Sequence, residues 1–95
     1  MDAQDQQLLR IVSEVLHYIW DPIQVSGVPQ ARDEYEGYVG LTYSLLRSGA
    51  SETDISEHLQ RIADERMGLP SRKQKADLAA SVLVDWRDFL SGVGA

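Results

Sequence analysis

With 95 residues, 43% of them hydrophobic, the chain is long enough for one domain around one modest core and too short for a core plus a separate catalytic domain. It has no cysteine, which excludes disulfides, thiolate chemistry and cysteine-ligated zinc, and suits a reducing compartment. The net charge of −6 is uneven: residues 14–65 carry ten acids against three bases, and residues 66–95 carry five bases against three acids. An acidic middle disfavours a phosphate backbone, which is bound by Lys and Arg displacing counterions, so no nucleic-acid partner is expected. The polar, acidic start Met1-Asp2-Ala3-Gln4-Asp5 lacks the charge pattern of a signal peptide. No apolar run approaches the ~20 residues of a membrane helix. A cytoplasmic protein without membrane contact is the expectation.

From about Gln4 to Trp20, Leu8, Leu9, Val12, Val15, Leu16 and Ile19 recur at spacings of three and four, the period of an amphipathic helix. Ile11 and Trp20 widen that stripe, and Pro22 ends the helix by excluding the helical conformation for Asp21. The alternation Ile23-Gln24-Val25-Ser26-Gly27-Val28 has the pattern of a short strand, but nothing in the sequence pairs with it. It reads instead as an ordered loop pinned by Ile23, Val25 and Val28.

Pro29 suits the first turn of a second helix, and Asp33, Glu34 and Glu36 place negative charge near its positive end. That helix is expected to run to about Ser48 with Tyr35, Tyr38, Val39, Thr42, Leu45 and Leu46 on one face. Gly37 and Gly40 inside it each cost about 1 kcal/mol against alanine. Either they admit a closely packed neighbouring helix, which is the favoured reading, or the helix is broken there or starts late. Gly49 is placed for a left-handed helix cap.

Ser51 with Asp54 three residues on approximates a capping box and opens a third helix, whose buried stripe is Ile55, Leu59, Ile62 and Ala63, extended by Met67. Glu57 and Arg61 form an i, i+4 pair on its surface. Gly68-Leu69-Pro70 stops that helix. Ser71, with Gln74, caps a fourth, expected to reach about Ser91 with Leu78, Ala79, Val82, Leu83, Trp86, Phe89 and Leu90 inward and Lys73–Asp77 paired outside. The fold class that follows is all-α: a small four-helix bundle, residues 1–95 as a single domain, with a structured loop between its first two helices.

Chemistry-bearing patterns are sparse. His17 lies four residues before Asp21 and His58 four after Asp54, so each has a carboxylate within reach, yet neither belongs to a metal-ligand motif. Both read as surface or edge histidines. The carboxylates of Asp33, Glu34 and Glu36 point in different directions on a helix and do not converge on a cation, so no metal and no cofactor are expected. Arg66, Arg72, Lys73 and Lys75 make a basic cluster too small to point to nucleic acid. Acids and tyrosines around an ordered loop instead offer amphipathic area and charge for a basic protein.

At Trp20-Asp21-Pro22-Ile23, followed after a Gly-containing loop by Asp33-Glu34-Tyr35 and Tyr38, the chain resembles a small bacterial family of uncharacterised helical proteins. In that family a Trp-Asp-Pro turn precedes an acidic helix. The resemblance covers the first half of the chain, departs from the family pattern at Gln24 where glycine is common, and implies no activity. In size and charge the chain is also similar to bacterial immunity proteins that neutralise a basic toxin. The function expected is protein binding, in an immunity or regulatory role and without enzymatic activity, through Asp21, Asp33, Glu34, Tyr35, Glu36 and Tyr38. Two alternatives stand beside it. One is a small metal-dependent or hydrolytic enzyme using His17, Asp21, Asp33 and Glu34. The other is a structural homodimer using surplus apolar area on the fourth helix, at Trp86, Phe89 and Leu90.

Overall fold

A computed structural model describes residues 3–20, 33–66 and 73–90, and the side chains of all of these except 33–35 and 66. Helix α1 (Ala3–Val15) continues into a π-helical turn, Leu16–Trp20; α2 spans Asp33–Arg47; α3 (Glu52–Arg61) likewise ends in a π turn, Ile62–Arg66; and α4 spans Lys73–Leu90. The described residues form an all-α bundle of four helices. None of these helices is long and apolar enough to cross a membrane. The Ile23–Val28 loop, Met67, the Gly68-Leu69-Pro70 stop and the Ser71 cap lie outside the described residues.

Side-chain contacts fix the directions of the helices. Arg47 at the end of α2 reaches Asp5 at the start of α1 at 3.5 Å, Ser13 donates to Glu36, and Trp20 meets Tyr38 edge-on with centroids 6.4 Å apart. Helices α1 and α2 are therefore antiparallel. Arg87 near the end of α4 reaches the carbonyl of Ala50 just before α3, and Ser56 donates to Asp77, so α3 and α4 are antiparallel as well. The core lies between all four: Leu8, Val12, Val15, Leu16 and Trp20 from the first helix, Val39 and Leu46 from α2, Ile55, Leu59, Ile62 and Ala63 from the third, and Ala76, Ala79, Ala80 and Leu83 from α4.

The helix ends follow local chemistry. Gly49 takes φ +90°, its N–H bonds to the Leu46 carbonyl at 3.1 Å, and the Ala50 N–H bonds to that of Leu45 at 3.1 Å. These two bonds are those of a Schellman cap. Ser51 accepts from the Asp54 N–H at 3.1 Å while the Asp54 carboxylate accepts from the Ser51 N–H at 3.2 Å, a complete capping box with Asp in place of Glu.

Several expectations are corrected. His17 is not at an edge: it is buried, at 2% exposure, with Tyr18 beside it pointing outward. A π turn bonds i to i+5 and so adds a residue to the turn, which moves the apolar phase by one position and draws His17 in beside Leu16. Gly37 and Gly40 admit no close neighbour, since a Cβ at either would meet nothing within 4 Å, and α2 is unbroken through both. In α4 the inward phase is set by Ala76, Ala79, Ala80 and Leu83, whereas Leu78 (56%), Trp86 (39%) and Phe89 (73%) are exposed. Alanines let a neighbouring backbone approach, and α4 makes its most extensive packing with α3. The Glu57–Arg61 pair is not among the ion pairs of the described residues.

Candidate functional site

Of the six residues expected to bind a partner, Asp21 lies outside the described residues, and Asp33, Glu34 and Tyr35 open α2 with side chains that are not described. Glu36 is exposed but turned towards α1, where it accepts from Ser13. Tyr38 is half-buried and packs edge-on against the indole of Trp20. Both contacts hold α2 on α1, so these two residues serve the seam between helices as well as its acidic border. Of the set considered for catalysis only His17 has a described side chain, and it is enclosed in the core. Among the described residues no three His, Asp or Glu side chains converge as cation ligands.

The structure places a concavity elsewhere, between α2 and the third helix, with a volume of about 580 Å³. Its floor is apolar: Leu45 is half-buried, Ile62 is buried, and Leu41 stands 51% exposed at the lip. Around that floor stand the exposed side chains of Asp54, Glu57 and Glu65, with Arg61 the single base. At a protein surface three carboxylates along one wall of a groove set up a negative potential that selects a cation-bearing ligand.

One polar chain ties the two walls together. The Thr42 hydroxyl, fully buried, donates to the Tyr38 carbonyl at 2.9 Å and lies 3.0 Å from Nε2 of His58. A hydroxyl has one proton and the carbonyl takes it, so the imidazole donates through Nε2–H. His58 is thereby fixed in orientation, and its ring lines the groove. Sequence reasoning found His58 but paired it with Asp54. The buried Thr42 on the opposite helix carried no local signal, because sixteen residues separate the partners.

The outer surface of α2 continues the groove. Gly37, Leu41, Ser44 and Leu45 share one side of the helix at spacings of three and four, and Gly40 adjoins them. The α2 backbone is therefore approachable from outside next to Leu41. Comparison with known proteins gives no match: no family model, no curated protein and no solved structure corresponds to this chain.

Proposed function

We propose that this protein is a binding module that takes a basic, amphipathic segment of another protein along the α2–α3 groove, in an immunity or regulatory role. The carrying observation is the pairing of an apolar floor at Leu41, Leu45 and Ile62 with an acidic border at Asp54, Glu57 and Glu65, on a chain of net charge −6. Apolar contact supplies affinity, and the acids supply steering and choice of partner. Gly37 and Gly40 support the same reading, because an approaching helix meets backbone there with no side chain in the way.

The test is an NMR titration with a synthetic helix bearing Leu on one face and Lys and Arg on the other. Shifts centred on Leu41, Leu45, His58 and Ile62, with affinity falling steeply as salt rises, are expected. The double substitution Glu57→Lys, Glu65→Lys should weaken binding by at least tenfold, about 1.4 kcal/mol. Shifts centred elsewhere, or an affinity indifferent to both salt and the charge reversal, would remove the groove from consideration.

A further inference from the structure

Helix α4 carries two apolar stripes; among the described residues the core buries the inner one and takes in only Val82 of the outer. The inner stripe is Ala76, Ala79, Ala80 and Leu83. The outer one, Leu78, Val82, Trp86 and Phe89, has spacings of four, four and three, the repeat by which one helix meets another. Three of its four members are exposed, and the ring of Phe89 stands edge-on to that of Trp86 with centroids 5.7 Å apart. Asp85, Trp86 and Phe89 bound a shallow, almost wholly apolar hollow of about 320 Å³. An aromatic helical stripe of this kind marks an interaction surface.

We infer that the outer stripe of α4 pairs with the same stripe of a second copy, the two α4 helices running antiparallel about Val82. Two features point to a second copy. Two ion pairs are internal to the helix, Lys73–Asp77 and Arg87–Asp88, and the remaining charges have a polarity, with Lys75 in the first turn and Asp85 towards the other end. An antiparallel partner therefore brings Lys75 of each copy to the end of the stripe where Phe89 and Asp85 of the other stand, giving a cation over a ring and opposite charges within reach. The register centred on Val82 places Leu78 opposite Trp86, so each copy's projecting Leu78 meets the other's hollow; knob and hole on one patch are what a twofold interface requires. The groove of α1 and α4 that holds Ile11, Tyr18 and Ile19 beside Val82 and Trp86 widens the same face.

Sedimentation equilibrium of the full chain from about 1 µM to about 1 mM tests the pairing. The mean mass should climb from 10.6 kDa towards twice that value. Because Trp20 is buried and Trp86 exposed, the indole emission should shift to the blue with the same midpoint. Leu78→Asp should weaken self-association by roughly thirtyfold or more while leaving the thermal melt of the monomer unchanged. Lys75→Glu should weaken it too, and adding Asp85→Lys should restore it, a rescue that a merely structural role for either residue does not give. High salt should weaken the dimer only modestly, through the Lys75–Asp85 contribution, whereas groove binding should fall steeply. A monomeric mass throughout, a dimer indifferent to Leu78→Asp, or a monomer that instead sediments with lipid vesicles would overturn the assignment.

Discussion

At the scale of single residues, three glycines show how one residue type takes opposite meanings. Gly49 sits at φ +90°, where a side chain strains the backbone, so Gly49→Ala should cost about 1–2 kcal/mol. Gly37 and Gly40 lie in regular helix with open space beyond them. Each should gain about 1 kcal/mol on substitution by alanine, read as a higher urea midpoint at constant slope. If the α2 surface receives a partner closely, the same alanines should weaken that partner although they stabilise the fold. The cap at Gly49 was legible in the sequence because capping is local. The surroundings of Gly37 and Gly40 were not, since the period of α2 does not say which neighbours stand beside it.

At the scale of elements, the seams depend on polar groups that reach across helices. Arg87 of α4, its side chain mostly buried, donates through Nη1 to the Ala50 carbonyl at 2.6 Å and to that of Leu46 at 3.3 Å, and its Nε lies 3.1 Å from Asp88. A cation at the carbonyl end of α2 satisfies acceptors that the helix leaves over. Arg87→Met keeps much of the stem but removes the donors, and should cost about 1–3 kcal/mol in chemical denaturation. Across the α3–α4 seam, Asp77 accepts from Lys73 at 2.7 Å and from the buried Ser56, whose hydroxyl also accepts from Gln60. The Lys73 hydrogen bond first, and that from Ser56 second, hold the Asp77 carboxyl below its ordinary value. A carboxylate with a lowered folded-state pKa contributes stability that is fully present above the unfolded value near pH 4 and is lost as pH falls through the lower folded value. Melting temperatures taken from about pH 6 to about pH 2 should therefore fall less steeply for Asp77→Asn than for the parent. An unchanged acid limb would show that this cluster adds nothing to the pH dependence.

At the scale of the whole molecule, two faces of the described residues differ in character. The α2–α3 groove is acidic around an apolar floor, and α4 presents Leu78, Trp86 and Phe89 with charges of both signs. A partner drawn by the first should lose association rate steeply between low and high salt in stopped-flow mixing, because steering acts over a Debye length of about 8–10 Å at physiological ionic strength. Contacts at the second, mostly apolar, should depend on salt far less. The proposed site stands beside the one read from sequence rather than on it. Glu36 and Tyr38 are on α2 as expected, yet they face α1 through Ser13 and Trp20, while Leu41 and Leu45, a turn further on, form the groove with residues of the next helix.

The sequence by itself determined the number and order of the helices, the Gly49 and Ser51 caps, and the buried stripe of the third helix. These rest on 3.6-residue periodicity and on side chains within four positions of the backbone groups they serve. Tertiary structure alone decided which side of each helix faces inward when two apolar stripes compete. In α4 the alanines turn in because they permit close packing, and the larger residues turn out. In the first helix a π turn shifts the phase and encloses His17. The junctions Thr42–His58, Ser56–Asp77 and Arg87–Ala50 join residues 16 to 37 positions apart, and no local rule of helix chemistry extends across such separations.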